Sequence, residues 1–190
     1  EFDSALKNNK YEATDSGVLF PSAHAVASGV YEHRVVRNGV ASEWERDPNL
    51  LPVEGLTYLM SLLGAGAKLT PWYIALYSGA VSPSSVWTAA NFTATATEIT
   101  SGTEGYTEAN RVTWTPGTAA ASAISNTASP AQFTINTATA LLVNGVGMLS
   151  AAAKGAITGV LVSASRFASQ RSLNDEDLFE IKYTIALTSS

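Results

Sequence analysis

The stretch Phe179-Glu-Ile-Lys-Tyr-Thr-Ile-Ala-Leu187 decides how the rest of the chain reads. Phe179, Ile181, Tyr183, Ile185 and Leu187 fall on one side of an extended backbone, and Glu180, Lys182 and Thr184 fall on the other. That period of two is the pattern of a half-buried strand. Upstream, shorter runs of the same kind recur between turn residues. Residues 158–163 (TGVLVS), 132–136 (QFTIN) and 111–115 (RVTWT) each read as a strand, the last ending in a Pro116-Gly117 turn. Residues 140–149, interrupted by Asn144-Gly145, read either as a second hairpin or as one bulged strand. Residues 72–78 (WYIALYS) are apolar on both faces, as a central strand requires, and residues 91–99 fit a strand or a short helix. Short strands at this spacing predict a mainly β chain: an antiparallel β-sandwich or jelly-roll-like domain.

Before residue 70 the signals change. Asn38-Gly39, between Val30–Arg37 and Val40–Arg46, is the strongest short-range mark of a two-residue hairpin turn. Residues 54–63 (EGLTYLMSLL) carry Leu56, Leu59, Met60 and Leu63 at i, i+3, i+4 and i+7, which predicts one short helix with a core-packing stripe. Glu54 in its first turn suits the helix dipole, and Gly64 is placed to end it. Residues 1–28 hold neither period and read as an extended arm with an apolar knot at Val18, Leu19 and Phe20. Two readings of the arm stand: a solvated leader, or a segment laid on a neighbouring subunit. The expected organisation is therefore an arm (1–28) and one β-rich domain (29–190), made of hairpin 29–46, a helix over about 54–63 and a sandwich over about 70–188. Val18, Leu19 and Phe20 in the arm, with Tyr31 and Trp44 in the hairpin, are the candidate interaction residues.

Composition narrows the function. The chain has 190 residues, 46% of them apolar, but only 14% are charged, and the net charge is −5. Average soluble proteins carry roughly 25% charged residues. The deficit is localised: no Asp, Glu, Lys or Arg occurs from Leu69 to Thr97 or from Val112 to Ala153. Either a Thr- and Ser-rich sandwich surface or a surface covered by partners accounts for those tracts. An acidic chain without basic clusters is a poor electrostatic match for nucleic acid, and no run of 18 apolar residues would span a membrane. Residues 1–11 lack the basic and apolar regions of a secretory signal.

Little reads as chemistry. Cysteine is absent, which removes disulfides and thiolate sites. The two histidines, His24 and His33, lie outside the predicted β-core and lack a Ser-bearing elbow; no cofactor or metal site is expected. The acidic run Asn174-Asp-Glu-Asp177 reads as a charged turn in preference to a Ca²⁺ loop. Paired carboxylates of the glycosidase kind would have to come from Glu98, Glu104 and Glu108, the acids of the central region. Trp72, Tyr73, Tyr77 and Trp87 are either sandwich core or, if exposed, a sugar-stacking platform.

Four segments resemble the small head proteins of tailed bacteriophages, specifically the decoration or cement proteins that stud assembled capsids. They are Asn49-Leu-Leu-Pro-Val-Glu-Gly-Leu-Thr-Tyr-Leu59, Thr70-Pro-Trp-Tyr-Ile-Ala-Leu-Tyr-Ser-Gly79, Tyr106-Thr-Glu-Ala-Asn-Arg-Val-Thr-Trp114 and Ser165-Arg-Phe-Ala-Ser-Gln-Arg-Ser172. The resemblance covers roughly residues 30–190. It implies a non-enzymatic β-rich domain bound to the outside of the major capsid shell, with the major capsid protein as partner and a dimer or trimer as its own state. It also implies a virion location after synthesis in the bacterial cytoplasm. It implies a Gly-Asp pair entering the final strand, where this chain has Glu176-Asp177. No site residues carry over from it. A tail, baseplate or fibre component and a carbohydrate-binding sandwich are the alternative readings.

Overall fold

The computed structural model describes residues 11–13, 19–21, 25–64 and 66–189. Two antiparallel sheets face each other and form a β-sandwich. The first is built on the strand that opened the sequence reading, β13 (Leu178–Ser189). It pairs along its whole length with β3 (Ala25–Arg37), from Leu178 opposite Val36 to Ser189 opposite Ala25. On its other side it takes β10 (Ala131–Asn136) and then β9 (Ala123–Ser125); β7 (Gly105–Tyr106) flanks β10. β4 (Val40–Ala41) and β5 (Glu45–Pro48) pair with β3 on its free edge. The second sheet has the order β12 (Leu161–Leu173), β11 (Leu141–Leu149), β6 (Trp72–Tyr77), β8 (Val112–Trp114).

Local chemistry explains the elements. Asn38 and Gly39 both take positive φ, 51° and 78°, the conformation of a two-residue hairpin turn. β6 is apolar on both faces because both are covered. Ile74 and Leu76 enter the core between the sheets with Tyr31, Phe133, Phe179, Ile181 and Tyr183. Ala75 and Tyr77 face outward into a second core with Trp87, Phe92 and Ala96. The outer cover is a helix, α2 (Ala89–Ala96), capped by Thr88 and Asn91 through reciprocal side-chain bonds. Among the described residues there are thus two helices, and the segment that the sequence leaves open between a strand and a short helix is the second of them. Of residues 140–149, Leu141–Leu149 form one strand with a register shift between Val143 and Gly145, so the bulged reading of Asn144-Gly145 holds and the hairpin reading does not.

Several boundaries move. Residues 25–28, expected in the arm, belong to β3 because each has a ladder partner on β13. Residues 158–163 open into the thirteen-residue β12. The first helix, α1 (Val53–Ser61), ends in tight turns, Leu63 N–H to Met60 O and Gly64 N–H to Ser61 O, and Gly64 has no positive φ. It therefore does not act as a left-handed cap. Ahead of β3, β1 (Tyr11–Ala13) and β2 (Leu19–Pro21) pair with one another in a separate two-stranded ribbon.

Candidate interaction surface

The residues singled out for chemistry are held by structural roles. His33 lies in the core, contrary to expectation, against the rings of Phe167 and Phe179. Its Nε2 is 2.8 Å from Asp47 Oδ2, and Asp47 Oδ1 accepts the Ala168 N–H at 2.7 Å. Burial pulls the His33 pKa below the ordinary histidine value despite the opposing pull of Asp47. This pair ties β3 and β5 to β12, as do Tyr31 Oη with Ser163 Oγ (2.6 Å) and Ser165 Oγ donating to Pro48 O (2.7 Å). His24 lies outside the described residues.

The acids of the central region are likewise engaged. Glu98 accepts both Nε (2.7 Å) and Nη2 (2.8 Å) of the buried Arg111, together with Thr93 Oγ1 and the Gly155 N–H. Glu104 accepts the Ala138 N–H, and Glu108 accepts the Thr134 N–H. Each anchors backbone or a buried cation, and Glu98, the buried one of the three, thereby meets the usual condition for a retained buried charge. Among the described residues no group of three or more His, Cys, Asp or Glu could hold a metal ion. The 174–177 segment is a turn: Asp177 accepts the Asn174 N–H and two bonds from Arg37, at 2.8 and 2.6 Å. Those Arg37 bonds hold the Asp177 carboxyl below the usual carboxylate range. Glu176 sits at φ 64°, the position where a glycine would be relaxed.

Of the candidate interaction residues, Val18 lies outside the described residues, and Leu19 and Phe20 belong to the β1–β2 ribbon. Tyr31 is corrected: it is fully buried and stacked on Tyr183 at 4.2 Å, because odd-numbered β3 residues point into the sandwich. Trp44 is half-buried on the outer face of the first sheet, with Arg34 at 4.5 Å and Lys182 at 3.5 Å from its ring. On the same face Glu180 accepts Arg34 Nε at 2.6 Å and Gln132 Nε2 at 2.7 Å. Burial pushes its carboxyl up, and the Gln132 and Arg34 bonds together bring it below the ordinary value. The charged face is thus paired within itself.

Unsatisfied surface lies elsewhere. At one end of the sandwich, Tyr58, Leu59, Trp72, Trp114, Ile124 and Ile185 line an apolar groove of about 560 Å³, with Lys68 at its wall. Trp72, half-buried there, and Trp87, buried under α2, do not make an exposed aromatic platform. The predicted core stripe of α1 is also corrected. Leu59 packs toward the core, but Leu56, Met60 and Leu63 face solvent, joined by Val53. The reason is Gly55. A Cβ there would lie 2.4 Å from Val162 O, so the helix meets β12 backbone to backbone through its glycine face and turns the large side chains away. Glu54 faces the protein too, its Oε2 accepting the Ala89 N–H at 2.8 Å and the Leu161 N–H at 2.7 Å. Residues 115–122 form a further exposed segment without a single charge. Compared with protein-family models, with curated proteins and with solved structures, the chain matches none.

Proposed function

We propose that this chain is a non-enzymatic structural protein of a virion, a decoration or cement protein that attaches as a homo-oligomer to the outside of the major capsid shell. One observation carries the reading: apolar and charge-free surface is exposed, while Arg34, Arg37, Arg111 and Arg171 are each paired with a carboxylate of the fold. The α1 stripe and the 115–122 segment offer contact area without ionised groups to desolvate, the property of interface centres, and the apolar groove adds only Lys68. The charges around Trp44, Asp177 and Glu98 are used inside the fold. Attachment at many equivalent sites would multiply a modest contact energy through avidity. The sequence resemblance to head decoration proteins points the same way. No helix among the described residues is long and apolar enough to cross a membrane.

The test is location. In virions that carry the chain, mass spectrometry of separated heads and tails should find it with heads, and purified chain should rebind to stripped heads. Recovery only with tails overturns the capsid reading in favour of a tail, baseplate or fibre part. Removal of residues 1–24, which leaves the β3 ladder whole, should weaken rebinding without unfolding the domain. Unchanged occupancy would remove the arm from the attachment.

A further inference from the structure

Val53, Leu56, Met60 and Leu63 are spaced three, four and three residues apart. On a helix of 3.6 residues per turn this keeps them in one line, the a/d seam by which one helix packs into another. Leu63 lies two residues beyond the end of α1, and the intervening Leu62 keeps helical angles of φ −66° and ψ −21°. All four face solvent, 59%, 42%, 65% and 82% exposed. Beside the seam stand Thr57, Ser61 and Gly64, also exposed and uncharged. The one ionised side chain of α1, Glu54, is drawn to the opposite side by two backbone N–H groups. The Val53 N–H bonds to Ser85 O, which sets the exposed Val86 near the start of the same stripe. From residue 55 to residue 97 the only ionised side chain is Lys68.

We propose that this seam is a self-association surface on which α1 of one copy packs against α1 of a second, related by a two-fold axis. The heptad spacing fits a helical occupant with the same spacing. A two-fold contact requires a surface that complements itself. An apolar seam without flanking charges meets that condition, because no like charges face each other across the axis. The nine residues of α1 span about 13 Å at about 1.5 Å per residue. A seam that short buries less than the roughly 800 Å² per partner of a standard stable interface. The dimer should therefore be weak in solution and gain strength where many copies are held together. The proposal rests on the homo-oligomer part of the reading above and adds the surface that forms it.

Sedimentation velocity of the full chain, from low micromolar to several hundred micromolar, should show a concentration-dependent monomer–dimer equilibrium. Met60→Glu and Met60→Lys should each be monomeric over that range with unchanged circular dichroism. An equimolar mixture of the two variants should regain dimer, because opposite charges then meet across the axis. A Met60→Glu chain that dimerises like the parent overturns this surface and leaves capsid attachment to the head-rebinding test. A parent chain that stays monomeric throughout overturns both the surface and the homo-oligomer, again without bearing on whether single copies bind heads.

Discussion

The two helices invert what their sequences advertise. α1, with Leu56, Leu59, Met60 and Leu63 at helical spacing, looks like a core helix and exposes most of that stripe. α2 reads Ala-Ala-Asn-Phe-Thr-Ala-Thr-Ala, a weak helical pattern, and buries Ala89, Phe92 and Ala96. Both meet the second sheet at a glycine, and the difference lies in which partner carries it. Gly55 is on the helix, so α1 presses its own backbone onto Val162 and its large side chains have no room on that side. Gly147 is on the strand. A Cβ there would come within 2.6 Å of the Phe92 ring, so its absence makes the slot that Phe92 fills. Burial of a helix face follows the shape it meets as much as its own hydropathy.

Filling or emptying those two contacts separates the helices most sharply. Phe92→Ala leaves a hole in the outer core against Tyr77 and Trp87 and should cost about 3–5 kcal/mol of unfolding free energy, read from urea denaturation. A loss below about 1 kcal/mol would mean that α2 is not packed as described. Gly55→Ala should come next. The added carbon meets carbonyl and Cα atoms of Val162, backbone that cannot rotate aside. The strain, about 1–3 kcal/mol, works against a gain of about 1 kcal/mol from alanine's better helix propensity, so denaturation should show a net loss. A stabilised Gly55→Ala would show that α1 stands off the sheet.

Glu54→Gln tests the third difference, the tether between the helices. The Glu54 carboxylate satisfies the first N–H of α2 and the first N–H of β12, and both residues are buried. An amide oxygen can still accept a bond but without the charge, so a loss of about 1 kcal/mol is expected. An unchanged midpoint would mean that solvent serves those groups equally well.

How much of this was legible follows from where polarity and burial part company. β13, β6 and the Asn38-Gly39 turn could be read because their side chains obey simple patterns: alternation, an all-apolar run and a left-handed pair. β12 was only half legible. Its Ser163 and Ser165 are buried as partners for Tyr31 and the Pro48 carbonyl, which erases the alternation. His33 escapes the pattern for the same reason, since Asp47 gives a buried polar residue its partner from fourteen positions away. That pairing also hides the inward face of β3, on which Tyr31 lies. The charge of Glu54 in the first turn is legible in the sequence; its bonds to residues 89 and 161 carry no local signal. The exposed seam of α1 was visible as spacing, but its direction depends on Gly55 meeting Val162, a contact between residues 107 positions apart.

The smallest expected effect is the most discriminating for that direction. Leu56→Ser and Met60→Ser remove large apolar groups from a helix, and in a core such changes cost about 2–5 kcal/mol. On α1 the two side chains already face water, so at concentrations where the chain is monomeric each should change stability by no more than about 0.5 kcal/mol. Leu59→Ser is the internal control, because Leu59 lies one turn from Leu56 and packs against the main core; it should cost several times more. Equal losses at all three positions would place the whole stripe in the interior and remove the asymmetry between the helices. A loss at Leu56 and Met60 that appears only at high concentration would instead measure the energy of the contact between copies. Dimer is then favoured by mass action, and unfolding must also separate the chains.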